Sequence, residues 1–172
     1  MMRVGLGFDV HPFGDGRPLF LCGVQIPYYR GLVGHSDADA ALHAVMDALL
    51  GALSLGDIGT HFPNTDEAYR GADSGALTQR VVELIGSHGF VVNNVDITIL
   101  AEAPKVMPHQ QAMRNRLSDL LRCQPADVSV KATTMERLGF VGREEGIAAM
   151  AVATVRTSGN PRVELLTLDG PN

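Results

Sequence analysis

Gly34-His35-Ser36-Asp37-Ala38-Asp39-Ala40-Ala41-Leu42-His43-Ala44 gathers the residue types of metal and acid–base chemistry at the start of one helix. Ser36 is placed to cap that helix, with Asp39 three residues on as the acidic half of a capping box. Leu42, Val45, Met46, Leu49 and Leu53 then recur at helical spacing. His43 falls at the edge of this stripe, one turn after Asp39 and one turn before Asp47. Upstream, Asp9 and His11 stand two apart in a strand-like run and so project from one face. Carboxylate and neutral imidazole suit zinc or a similar divalent ion, and two ligands leave a tetrahedral site wanting a third. His43 is the candidate. Locally, both groups also have ordinary readings: a well-capped surface helix with one half-buried histidine, and a chance Asp-x-His pair.

Elements must hold these side chains in place. The chain of 172 residues is long enough for one domain with its own core, expected over 1–157 with a C-terminal tail over 158–172. Net charge is −5 with no basic cluster, which argues against nucleic acid or an anionic membrane as the main partner. No apolar run approaches the ~20 residues of a membrane span, and the first residues enter a strand without signal-peptide architecture. Cys22 and Cys123 make neither a zinc ribbon nor a disulfide framework. A reducing cytoplasm is therefore expected, and any metal relies on His and Asp.

Residues 2–12 read as a strand, with Val4, Leu6 and Phe8 alternating with Gly5, Gly7 and Asp9. Leu19 to Cys22 and Val24 to Pro27 suggest a small hairpin around Gly23. From Gly56 to about Asp73 the Gly, Pro, Asn and Asp content predicts a long loop, and long loops are often functional. Asp73 can cap a second helix with Leu77, Val81, Leu84 and Ile85 inward. Val95, Ile97 and Ile99 mark a strand from Phe90 to Glu102, followed by a loop at its carboxyl end, where α/β sheets commonly bind ligands. Pro108 suits the first turn of a third helix carrying Met113, Leu117, Leu120 and Leu121. Val128 to Thr133 is a further strand delivering Thr134-Met135-Glu136 into a turn whose hydroxyls and amides suit phosphate oxygens. Leu138 to Gly146 reads as a glycine-punctuated loop. The Ala-rich run Ile147 to Val155 closes the sheet and packs closely on a helix or another subunit.

Three motifs thus stand in order: Gly7-Phe8-Asp9-Val10-His11; Gly34-His35-Ser36-Asp37-Ala38-Asp39 with His43; and Lys131-Ala132-Thr133-Thr134-Met135-Glu136 followed by Leu138-Gly139-Phe140-Val141-Gly142-Arg143. Between them lie Asp57-Ile58-Gly59, Phe62-Pro63-Asn64-Thr65-Asp66 and Ala103-Pro104-Lys105. In this order and spacing they resemble the 2-C-methyl-D-erythritol 2,4-cyclodiphosphate synthase family of the non-mevalonate isoprenoid pathway, over roughly residues 2–156. The resemblance implies an α/β subunit, a small mixed sheet with helices packed on one face. It also implies a homotrimer with active sites between subunits. The implied reaction converts 4-diphosphocytidyl-2-C-methyl-D-erythritol 2-phosphate to the 2,4-cyclodiphosphate, with release of CMP.

By resemblance, Asp9, His11 and His43 are zinc ligands, and Glu136 lies near a magnesium or manganese ion held with the substrate diphosphate. His35 and Thr134 match transition-state groups. Asp9, Val10, His11, His35, Ser36, Asp57, Ile58, Gly59, Phe62, Pro63, Asn64, Thr65 and Asp66 match contacts to the sugar-phosphate part. Ala101, Glu102, Ala103, Pro104, Lys105, Val106 and Met107, with Thr133, Thr134, Met135 and Glu136, match the cytidine pocket and its diphosphate. Phe140 and Arg143 match residues facing a central cavity that holds isoprenoid diphosphates in some relatives. Asn64 stands where Asp is common and carries no charge for a substrate hydroxyl; Met135 replaces a usual small polar residue. The residues alone reach as far as a zinc enzyme acting on phosphate. On that ground a metal-dependent phosphoester hydrolase and a non-catalytic isoprenoid-phosphate-binding trimer stay open beside the synthase.

Overall fold

In the computed structural model, which describes residues 1–159, the first strand β1 (Met2–Asp15) outruns the expected 2–12. It pairs antiparallel with the last strand, β7 (Gly146–Thr157), with Asp9 opposite Ala149 and His11 opposite Ile147. On its other side β7 pairs antiparallel with β5 (Phe90–Leu100), which pairs parallel with β6 (Val128–Thr133). The short β4 (Arg30–Leu32) borders β1, giving a mixed sheet in the order β4-β1-β7-β5-β6. The Ala-rich strand expected to close the sheet is therefore its centre. β2 (Leu19–Leu21) and β3 (Val24–Ile26) form the expected hairpin. Its turn residues Cys22 and Gly23 both take positive φ, as the hairpin-favouring type I′ turn requires.

Helices α1 (Ala40–Ala52), α3 (Ser74–Ser87) and α4 (Gln110–Leu121) lie on one face of this sheet. α1 runs directly behind β1 and β7 and is buried except at Asp47 and Gly51. Glycine and alanine explain how it lies so close. A Cβ on Gly5 would sit 1.9 Å from the Ala48 carbonyl oxygen, and one on Gly7 would sit 1.9 Å from that of Ala44. On the same face of β7, Ala149, Ala151 and Ala153 are fully buried. The opposite face of the sheet is apolar and open, with Val4, Leu6, Phe8 and Val10 on β1 and Met150 and Val152 on β7 all exposed.

Three local expectations change. The cap of α1 is Asp39, whose carboxylate accepts the Leu42 N–H at 3.0 Å; Ser36 Oγ instead takes the Ala38 N–H. Asp39 also accepts N–H groups from Cys22 and Gly23, tying the hairpin turn to the helix start. The segment 56–73 is not a plain loop. It holds α2 (Ile58–His61), capped by Asp57, and a 3₁₀ turn at Glu67–Tyr69 capped by Asp66. A further short helix, α5 (Gly139–Gly142), replaces the loop expected near Phe140. The expected tail lies, from residue 160 onward, outside the described residues. Among the described residues no helix is long and apolar enough to cross a membrane.

Candidate metal centre

β1 presents Asp9 and His11 on its helix-facing side, and the close approach of α1 brings His43 to them. Asp9 Oδ2 lies 3.0 Å from His11 Nε2 and 3.0 Å from His43 Nδ1, and the two nitrogens are 3.1 Å apart. His11 Nδ1 is 2.8 Å from the Val33 carbonyl. A carbonyl only accepts, so Nδ1 carries the ring hydrogen and Nε2 points a lone pair at the cluster. The other ring nitrogen of His43 is 3.0 Å from Ser74 Oγ and 3.2 Å from Ser36 Oγ.

A carboxylate and two imidazole nitrogens thus converge on one point as acceptors. Tetrahedral zinc, at ~2.0–2.1 Å from each ligand, sets its ligand atoms about 3.3 Å apart, a few tenths wider than found here. The donor set and spacing fit a divalent cation. In the protein by itself, burial pushes the Asp9 carboxyl up, but contacts from His11 and His43 prevail and hold it at about 2. Burial likewise works against charge on His11, yet the Asp9 carboxylate raises its pKa above the ordinary 6.5. The cluster attracts positive charge, a proton at one ring or a metal shared by all three.

The cluster forms the wall of a cavity of about 490 Å³, with His35, Ser36, Ile58, Gly59, Phe62, Pro63, Asn64 and Thr65 also lining it. His35 Nε2 lies 3.3 Å from the Asp66 carbonyl, a long bond to an exposed ring. Asp57 and Asp66 stand beside the cavity with oxygens engaged as caps, to Thr60 N at 2.9 Å and Ala68 N at 2.9 Å. The Thr60 N–H lowers the Asp57 pKa. Val10 does not line this cavity; it is exposed on the open sheet face.

The remaining candidates gather elsewhere. Ala101, Glu102, Pro104, Lys105, Val106, Met107, Thr133 and Thr134 line a second cavity of about 150 Å³ at the carboxyl ends of β5 and β6, with Ala103 in the same loop. Thr134 Oγ1 donates to Glu136 Oε1 at 3.0 Å, within a turn where Glu136 and Arg137 both take positive φ. Glu102 Oε1 accepts the Met135 and Arg137 N–H groups and holds that turn. Glu136 is not part of the Asp9–His11–His43 cluster. Phe140 and Arg143 line neither cavity; Arg143 pairs with Glu145 at 2.8 Å.

Other residues serve the site without a signal in the sequence. Arg17 donates to the carbonyls of Gly34 and Ser36 and braces the turn bearing His35. Tyr69, Met46 and Leu77 complete the first cavity, and Tyr69 packs edge-on against Phe62.

This fold and centre define an α/β subunit able to hold a divalent cation beside a mixed polar and apolar cavity. The chain belongs to the YgbB family, whose family model matches residues 2–156. It is 56% identical over 151 residues to the 2-C-methyl-D-erythritol 2,4-cyclodiphosphate synthase of Shewanella amazonensis, covering 88% of this chain and 94% of that protein. It is equally 56% identical over 151 residues to the enzyme of that name from Lysinibacillus sphaericus, covering 88% and 96%. A solved 2C-methyl-D-erythritol-2,4-cyclodiphosphate synthase in a CDP-bound form superposes with TM-score 0.83 at 37% identity, over 90% of this chain and 100% of that one. The bifunctional IspDF of Campylobacter jejuni gives TM-score 0.89 at 41% identity, over 92% of this chain; the match spans 43% of that longer protein.

Proposed function

We propose that the protein is a CMP-forming phosphorus–oxygen lyase of isoprenoid precursor biosynthesis. Its substrate is 4-diphosphocytidyl-2-C-methyl-D-erythritol 2-phosphate, and its product is 2-C-methyl-D-erythritol 2,4-cyclodiphosphate. An oxygen of the 2-phosphate attacks the β-phosphorus, and the bond from that phosphorus to the oxygen bridging to the α-phosphate breaks. CMP leaves with the bridging oxygen, and no water is consumed. The observation that carries this reading is the convergence of Asp9, His11 and His43 in the cavity wall, in a chain of this family.

Asp9, His11 and His43 would hold zinc, with magnesium or manganese accompanying the substrate diphosphate near Glu136. Zinc, when bound, would polarise and orient a phosphate oxygen. The chain's own residues position and stabilise. Phe62, Ile58 and Leu77 give the cavity apolar walls that exclude water. Asp57 and Asp66 offer carboxylates to sugar hydroxyls, and Asn64 offers an uncharged amide. His35, whose Nε2–H is held by only one long bond, is free to turn to charge growing on the transferring phosphoryl group. Thr134 would act likewise from the nucleotide side, where the loop from Ala101 to Met107 meets the cytidine. Such donors typically contribute 10²–10³ in rate, about 2.7–4 kcal/mol.

His35 and Thr134 line different cavities of one chain, which supports a site completed by a second copy. The open apolar sheet face supports a homotrimer, with Phe140 and Arg143 turned toward a shared central cavity suited to an isoprenoid diphosphate. Residues 1–157 then form the synthase unit, working in the cytoplasm. Incubation of the purified protein with the cytidine substrate, zinc and magnesium tests the reading. A cyclic diphosphate with stoichiometric CMP is expected, and roughly a hundredfold or greater loss on His35→Ala or Thr134→Ala. A linear product would point to hydrolysis and overturn it.

A further inference from the structure

The outward nitrogen of His43 meets a hydroxyl whose proton is already committed. Ser74, the first residue of α3, is fully buried. Its Oγ donates to Asp37 Oδ1 at 2.5 Å, and its N–H donates to Asp37 Oδ2 at 3.0 Å. Asp37 Oδ1 also takes the Asp39 N–H at 3.3 Å. A carboxylate accepting all three contacts has no proton to return. The single hydroxyl hydrogen of Ser74 therefore points at Asp37, and the Oγ lone pair faces His43 Nε2 at 3.0 Å. Ser36 Oγ is farther from Nε2, at 3.2 Å, and also accepts the Ala38 N–H.

We infer that Ser74 and Asp37 form a positioning relay that fixes the proton of His43 on Nε2 and keeps Nδ1 free to bind the cation. The inference rests on the metal centre proposed above. A neutral imidazole carries one hydrogen, and the wrong tautomer would turn an N–H, not a lone pair, toward Asp9 and His11. The chain Asp37–Ser74–His43, holding the shorter of the two hydroxyl contacts to Nε2, works against that tautomer and orients the ring. It also joins the start of α3 to the helix bearing the ligand. Partners of this kind commonly change metal affinity 10–100-fold.

The test is a zinc competition titration against a chromophoric chelator on the full chain, with the imidazole nitrogen–proton NMR pattern of His43 read in parallel. Ser74→Ala is expected to weaken zinc about tenfold or more. Asp37→Asn presents an amide hydrogen to Ser74, so the hydroxyl can turn and donate to Nε2. That variant is expected to lose the Nε2–H pattern along with zinc affinity. Ser118→Ala removes another buried serine, one bonded to the Asn115 carbonyl, and should leave zinc binding unchanged. Should Ser74→Ala not fold, Asp37→Asn carries the test by itself. Zinc affinity within about twofold of the parent in the folded variants, or an unchanged tautomer pattern in Asp37→Asn, would overturn the relay. A parent protein that binds no zinc would instead remove the centre itself.

Discussion

A carboxylate oxygen and two imidazole nitrogens within 3.1 Å of one another must share something positive. Replacing one of them should therefore release the metal and leave the scaffold standing. His43→Ala is expected to purify without zinc and without activity while keeping its assembly, checked by elemental analysis and light scattering. Stoichiometric zinc in that variant would contradict the ligand set. Protons compete for the same point. In the metal-free protein the raised pKa of His11 means its attraction to Asp9 stabilises fully below 6.5 and is lost as pH rises through the folded value. The lowered pKa of Asp9 stabilises above 3.8 and fades as pH falls toward about 2. Zinc needs the imidazole neutral, so its affinity falls as pH drops through the His11 value. The melting-temperature gap between zinc-loaded and chelated protein should consequently widen from pH 6 to pH 8. A constant gap across that range would speak against ligation by His11.

At the scale of elements, the distance from His43 to Asp9 is set by glycine. Gly7 lies under the Ala44 carbonyl, one residue from His43 along α1 and two from Asp9 along β1. Gly7→Ala pushes the helix off the strand. It should cost about 1–3 kcal/mol or more by overpacking, seen in denaturant midpoints, and weaken zinc binding as well. Such contacts were only partly legible beforehand. Alternation along residues 4–11 marks β1 as a strand, yet it does not say that the glycine side faces inward and the Val-Leu-Phe side outward. That choice is made by α1, whose own alanines become meaningful only when set against Gly5 and Gly7. The Asp9–His11 pair and His43 could be read as ligands because side-chain direction along a strand follows from spacing alone. Ser74 and Arg17 could not, because their partners come from turns distant in the chain. Ser36 and Asp39 are both good capping residues, and only the hairpin amides of Cys22 and Gly23, drawn to Asp39, decide between them.

For the whole molecule, the open sheet face carries the argument. Leu6 and Phe8 are 63% and 51% exposed, beside Met150 and Val152. Covering the exposed half of each such side chain is worth about 1 kcal/mol, and contiguous apolar patches of this kind mark association surfaces. Phe8→Glu is expected to yield a single-chain species in light scattering and to abolish turnover while each chain retains its zinc. An active variant of unchanged assembly size would show that the face is not an interface. Mixing two inactive chains, His43→Ala and Thr134→Ala, in equal amounts should restore about one quarter of the sites, because random assembly pairs the two intact halves that often. No recovery would place both halves on one chain. β1 is thus read on two sides at once: residues 5, 7, 9 and 11 face the helix and the candidate metal centre, while 4, 6, 8 and 10 make up the open apolar face. Substitution can adjust the outward set without touching the inward one, but loss or gain of a single residue before Asp9 would exchange their roles, driving a carboxylate onto the apolar face and phenylalanine against the helix. Only the outward half of this segment can drift in composition, and the whole of it has no freedom in length.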